Sequence, residues 1–360
     1  MQLATRMSRL GTETAFEVLV RARALEAQGK DVIHLEVGEP DFDTPANIVE
    51  AGAEALRSGW THYGPAPGLP QLREAIANYL NRARGTSYTP DNIVVTPGGK
   101  PIMFFTILAL LEAGDEAIYP NPGFPIYESM INFTGAKAVP SPILEKFDFA
   151  LDVSELPGLI TDKTKLLIIN SPANPTGGVL NRKEIEAIAE LAVANDLIVL
   201  ADEIYAEILY EGEHVSIATM PGMKERTIIL DGFSKTYAMT GWRLGYGAMP
   251  EDFAKVIGNL MVNSNSCTSM AVQIAGVEAL TGPQDDVKAM VAAFEKRRDL
   301  MVDGLNDIPG ISCLRPKGAF YVFPNISGTG MKSKPFADKL LQDYGVAALS
   351  GTAFGQYGEG

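Results

Sequence analysis

Cysteine and histidine are scarce, with two cysteines (Cys267 and Cys313) and three histidines (His34, His62 and His214) among 360 residues. The cysteines lie far apart and outside any CxxC spacing, so neither a disulfide framework nor a cysteine zinc site is expected. The histidines are isolated and form no HExxH, which argues against a metal hydrolase. Positive charge is also short. Thirty Lys and Arg stand against 44 Asp and Glu, a net charge of -14, which repels a phosphate backbone and speaks against nucleic-acid or anionic-membrane partners. The longest apolar run, PIMFFTILALL at 101 to 111, is too short to cross a bilayer, and the N-terminal stretch lacks a signal-peptide core. A soluble protein of the reducing cytoplasm fits these absences.

What is present is an apolar fraction of 46%, enough for one large core or a large domain carrying a smaller one. Short β-rich runs alternate with stretches of helical period: IVVT (93 to 96), EAIY (116 to 119), KLLIIN (165 to 170), LIVLAD (197 to 202) and TIILD (227 to 231). That rhythm predicts an α/β fold with a mostly parallel sheet covered by helices. Residues 182 to 195 place Ile185, Ile188, Ala189 and Ala192 on one face, as a covering helix requires. After about residue 283 the pattern changes to a long charged helix, short strands around ISCLRP and AFYVFP, and a helix near PFADKLLQDYG. The expected division is an N-terminal segment over 1 to 40, a large domain over 41 to 282, and a smaller α+β domain over 283 to 360 that shares the N-terminal segment.

Ligands of open α/β sheets sit beyond the carboxyl ends of the strands, and four of those ends carry unusual chemistry. IVVT leads into TPGGKP, where Gly98 and Gly99 precede a helix and their N–H groups suit a phosphate, although on this motif alone a plain turn before a helix is the commoner reading. The spacing departs from the Walker pattern. KLLIIN leads into SPANPTGG, a Pro- and Gly-fixed turn around the amide of Asn174, which reads equally as a purely structural turn. LIVLA leads into DEIY and sets Asp202 at the end of a buried strand, where a carboxylate wants a cation; a helix cap is the competing reading.

TIIL leads into DGFSK. There Lys235, with Ser234 beside it, is expected to open a helix whose dipole and dryness lower the ammonium pKa. Arg243, eight residues on, precedes a predicted strand RLGYGAM and suits permanent pairing with a dianion. Both cations are expected to be buried. One molecule uses every one of these groups: pyridoxal 5'-phosphate. Its aldehyde takes Lys235, its phosphate takes Ser234, Arg243 and the Gly98–Gly99 turn, its ring nitrogen takes Asp202, and its phenolate oxygen takes Asn174 and Tyr205.

The motifs VGEPDFDTP, YGPAPGLPQLREAI, TPGGKP, NPGFPIYESM, NSPANPTGG, ADEIY, SKTYAMTGWRLGY and GAFYVFP occur in one order from about residue 30 onward. In that combination the sequence resembles the class I/II aminotransferases of fold type I, the aspartate aminotransferase family. The resemblance implies a seven-stranded-type sheet, a Lys235 Schiff base that also shuttles protons, Asp202 on the pyridinium, and Asn174 and Tyr205 on the phenolate. It also implies Phe124 stacked on the cofactor ring and Tyr63 reaching the phosphate of a neighbouring subunit, hence a homodimer with shared sites. Gly38, Lys100 and Asn174 are implied on the substrate side, with Lys100, itself part of the cofactor-binding turn, reading a distal carboxylate. A cation in the first turn of a helix is otherwise unfavourable and points to an anionic neighbour. Relatives carry an α-carboxylate-gripping arginine a few residues beyond the FGxxGEG-like stretch; the sequence stops at Gly360, and a missing C-terminal segment is expected to supply it.

The implied reaction is ping-pong transamination between an L-amino acid, aspartate or a broad range, and a 2-oxo acid. The alternatives are a β-eliminating carbon–sulfur lyase of the same fold and a non-catalytic regulator; the acidic charge opposes the latter, and nothing like a DNA-binding helix-turn-helix precedes residue 30.

Overall fold

The computed structural model describes residues 1–360. Nine strands form: β1 (Ile33–His34), β2 (Ile93–Thr96), β3 (Glu116–Asn121), β4 (Lys137–Pro142), β5 (Thr164–Asn170), β6 (Ile198–Asp202), β7 (Thr227–Gly232), β8 (Gly245–Ala248) and β9 (Val346–Ala347). Seven of them make one sheet in the order β2-β8-β7-β6-β5-β3-β4. All neighbours are parallel except those of β8, which runs antiparallel to both β2 and β7. Every residue of β2, β3, β7 and β8 is buried, as expected of strands covered on both faces.

The helix Arg182–Ala194 shows how sequence dictates one such cover. Asn181 and Glu184 form a reciprocal capping box, at 3.1 Å and 2.7 Å, that satisfies two N-terminal donors. Ile185, Ile188, Ala189 and Ala192 then pack into a core with Leu167, Ile169, Val199 and Ala201 from β5 and β6. Each isoleucine so buried contributes roughly 1.5–3 kcal/mol. The long charged helix lies at Asp285–Asn306 and the last α-helix at Ser333–Tyr344.

Three expectations need correction. Strand β4 was not foreseen in KAVPSP; it is an edge strand, where the prolines cost no ladder donor. ISCLRP and AFYVFP form no strand; only isolated bridges lie at or beside them, Ser312 with Asn325 and Leu209 with Gly318, and Pro316 and Pro324 each remove a ladder donor. No helix begins at Lys235. Phe233 N–H returns to Leu244 O and Met239 N–H to Ser234 O, both at 3.2 Å, while Ala238 adopts φ 49°, so the chain turns back toward β8.

The N-terminal and C-terminal segments meet in a second small sheet, β1 paired in parallel with β9. A cluster of Ala22, Val32, Leu341 and Ala347 lies with it. No helix is long and apolar enough to cross a membrane.

Candidate active site

The carboxyl ends of β2, β5, β6 and β7 share one edge of the sheet, and the predicted residues gather there. Strand β6 ends on the buried Asp202, in register with Asn170 at the end of β5. Asn170 Nδ2 donates to the Asp202 carbonyl at 3.0 Å, tying the two strand ends together. Asp202 Oδ2 accepts from Tyr127 Oη at 2.6 Å, and Oδ1 accepts from the Ile204 N–H at 3.2 Å. Lys235 acts on the carboxylate only through space. Burial lifts the Asp202 carboxyl to about 6, with the Tyr127 hydrogen bond opposing it. The cation that the sequence called for is not a side chain of this chain, and a buried carboxylate without one is costly.

Lys235 stands three residues past β7. Its Nζ donates to the carbonyl oxygen of Gly38 and lies 5.7 Å from the Phe320 ring centroid and 6.0 Å from that of Tyr205. With no helix there, the dipole has no part in its chemistry. Burial lowers its ammonium to about 8; Glu39 and Glu13 pull the other way, and Lys100 and Arg243 add to the lowering. An amine near neutrality is a competent nucleophile and base.

Tyr205 is buried, and its hydroxyl shares a 2.5 Å hydrogen bond with that of Tyr321. A Cβ on Gly38 would stand 2.9 Å from a ring carbon of Tyr321, so this position excludes any side chain. Gly38, Lys235, Tyr205 and Tyr321 therefore form one continuous contact. Tyr321 had no role in the sequence reading; its only signal was its place in GAFYVFP. Tyr127 was likewise missed, inside NPGFPIYESM.

Asn174 receives its position from Asn170, whose Oδ1 accepts the Asn174 N–H at 2.7 Å. Its own Oδ1 is buried without any partner. Gly98 has φ +90° and Gly99 opens the helix Lys100–Leu110, as expected. The Arg243 guanidinium covers Gly98, its Cζ 3.0 Å from where a Cβ would be. Arg243 Nη1 donates to Thr240 O at 2.8 Å. Burial was expected for both cations, yet Arg243 is exposed: its φ of 57° belongs to the tight turn that carries it on the rim. Ser234 is half-buried beside Lys235.

Phe124 lies edge-on to Tyr127, with centroids 5.6 Å apart, and carries Lys100 Nζ 5.4 Å from its centroid. Lys100 pairs with Glu13, the anionic neighbour its helix-start position called for. Tyr63 alone stands apart, 88% exposed and in none of these contacts within one chain.

The donor set fits pyridoxal phosphate. A buried carboxylate lacks a cation, a buried amide oxygen lacks a partner, an amine of lowered basicity is at hand, and the Arg243 guanidinium lies over the glycine turn that opens the helix Lys100–Leu110, where an anion would sit.

Comparison with known proteins agrees. The family described as aminotransferase class I and II matches residues 30–360. An aspartate aminotransferase of Pyrococcus abyssi is 44% identical over 335 residues, spanning 92% of this chain and 86% of that one. An arginine–pyruvate transaminase of Pseudomonas aeruginosa is 40% identical over 341 residues, spanning 95% of this chain and 87% of that one. The solved structure of an aspartate aminotransferase from Thermus thermophilus with maleate superposes with a TM-score of 0.95 at 38% identity, covering 98% of this chain and 92% of that one.

Proposed function

The chain belongs to the class I and II aminotransferases and is a pyridoxal-phosphate-dependent transaminase; from that premise we propose that Lys235 is its catalytic amine and Asp202 the partner of the cofactor's ring nitrogen. The observation that carries this is the pairing of a lysine whose basicity burial has lowered with a buried carboxylate, on adjacent strand ends, that has no cation of its own. Asn174 and Tyr205 would hold the phenolate oxygen, and Phe124 the ring face. Ser234, Arg243 and the Gly98–Gly99 turn would hold the phosphate. When bound, the cofactor supplies an electron sink for a carbanion at the substrate α-carbon.

The rest is the work of this chain. Lys235 Nζ is placed to take the proton from the substrate α-carbon and hold it, and the burial that lowers its pKa eases the later loss of that proton. The Gly38 carbonyl orients that amine, and Tyr321 fixes the Tyr205 hydroxyl. Tyr127 and the Ile204 N–H hold the Asp202 carboxylate in one orientation. Gly38 and Asn174 face the substrate, and Lys100 reads a side-chain carboxylate, so aspartate is the proposed donor.

The functional unit is proposed to be a homodimer in which Tyr63 completes the neighbouring site. Its exposure supports this, as does that of Trp60, Leu56, Leu35 and Ile33. The proposed division is a large domain over 41 to 282 and a small one built from 1 to 40 and 283 to 360, supported by the β1–β9 pairing. The test is a panel of aspartate, glutamate, alanine and aromatic donors against 2-oxoglutarate and pyruvate. Aspartate with 2-oxoglutarate is expected to have the highest kcat/KM; a preference for alanine or aromatic donors would overturn the role given to Lys100.

A further inference from the structure

Lys100 is already paired. Glu13 precedes the helix Thr14–Glu26 as its N-cap residue, yet its side chain caps nothing in that helix. It turns to Lys100 Nζ instead. The pair is lopsided in exposure, 49% for the lysine side chain and 18% for the glutamate, so the carboxylate is the sheltered member. Its charge is among those felt by both Lys235 and Tyr321, so it lies near the amine and the tyrosine pair.

The chain on either side of Glu13 is held by different parts of the molecule. Before it, Arg9 Nε donates to Asn132 O at 2.8 Å, Arg9 Nη2 to Phe133 O at 3.2 Å, and the Gly11 N–H to Ser129 Oγ at 2.9 Å. All three acceptors lie on the helix Ile126–Thr134, just after Phe124. Beyond it, Arg21 pairs with Asp338 at 2.7 Å on the C-terminal helix Ser333–Tyr344. Glu13 is thus held across the site by anchors at both ends.

We propose that Glu13 is a specificity-determining residue: an internal carboxylate that occupies Lys100 in place of a substrate's side-chain carboxylate. An acidic donor must displace it, whereas a donor with an uncharged side chain leaves the pair intact and meets a neutralised Lys100. The glutamate therefore narrows the preference for acidic donors and keeps uncharged ones acceptable. Charge alone gives this result, because one lysine cannot serve two carboxylates equally and an unpaired lysine beside an apolar ligand is unfavourable. The inference rests on the reading of Lys100 given above.

The test compares the full chain with Glu13→Gln, Glu13→Asp, Lys100→Met and the double variant, using aspartate and alanine as donors. Binding of succinate and of butyrate, which do not react, is measured alongside by calorimetry. Glu13→Gln should lower KM for aspartate and Kd for succinate about tenfold with kcat nearly constant, and leave alanine and butyrate unchanged or weaker. Glu13→Asp should restore part of the original ratio. In the Lys100→Met background, the Gln substitution should change neither ratio. Equal effects on acidic and uncharged ligands, or no change in the ratio, would overturn the proposal. If Lys100→Met itself spares the preference for aspartate and succinate, the underlying reading of Lys100 fails instead, and the role of Glu13 with it.

Discussion

Asp202 Oδ2 accepts a 2.6 Å hydrogen bond from Tyr127 Oη, and that phenol, with the Ile204 N–H, makes the side chain's only direct hydrogen bonds, Lys235 helping through space alone. Without its proposed cationic partner, the carboxylate is therefore a liability for folding. Its raised pKa means that the cost is absent below about pH 4, grows as pH rises toward 6, and is complete above 6. Asp202→Asn should stabilise the cofactor-free protein at pH 7.5 by roughly 1–3 kcal/mol, and the advantage should vanish at pH 4. The same variant should lose cofactor affinity and activity. Urea unfolding at the two pH values checks the sign.

Lys235 should titrate early. In the cofactor-free protein its reaction with cyanate, followed by mass spectrometry of the tryptic peptide, should be half-maximal near pH 8, whereas exposed lysines such as Lys255 and Lys339 should require much higher pH. An ordinary lysine profile for Lys235 would show that burial does not set its basicity.

The Tyr205–Tyr321 bond predicts a graded effect. Tyr321→Phe removes the hydroxyl partner of Tyr205 and should lower kcat/KM about tenfold, the equivalent of ~1.4 kcal/mol. Gly38→Ala forces a methyl group into the Tyr321 ring and moves the carbonyl that Lys235 uses, so a loss on the order of 100-fold is expected. Steady-state kinetics on both variants would reveal the opposite ranking if the tyrosine pair, and not the backbone placement, dominated.

Behind the site, Arg84 is buried among three carboxylates, Glu203 at 3.2 Å, Glu207 at 2.8 Å and Asp231 at 3.2 Å. Two of them lie at or just beyond the ends of β6 and β7. Arg84→Met should cost about 3–5 kcal/mol, because it removes the buried guanidinium that Glu203, Glu207 and Asp231 share. The loss should exceed that of Arg57→Met, whose pairs with Glu50 and Glu54 are exposed, by at least 2 kcal/mol in chemical unfolding.

Strands with unbroken β-branched or aliphatic runs were legible in the sequence, as was the helix Arg182–Ala194, because local pattern and tertiary demand agree there. Strand β4 was hidden because an edge position tolerates prolines that a central strand would refuse. The helix expected at Lys235 failed because propensity says nothing of the long-range return of Phe233 to Leu244. In the site, Lys235, Asp202 and Asn174 were readable as polar residues placed just after apolar runs. Tyr127 and Tyr321 were not, since a buried tyrosine in sequence looks like core until its hydroxyl is seen to point at Asp202 or Tyr205. The burial expected for Arg243 failed for a related reason, as a tight turn lifts it to the rim.

The central assignment is best tested chemically. The enzyme is incubated with pyridoxal phosphate, reduced with borohydride, digested, and mapped by mass spectrometry. One pyridoxyl group per chain is predicted, on Lys235 and on no other lysine, and it should disappear in Lys235→Arg. A group found instead on Lys100, or spread over surface lysines to the same extent in that variant, would contradict the account.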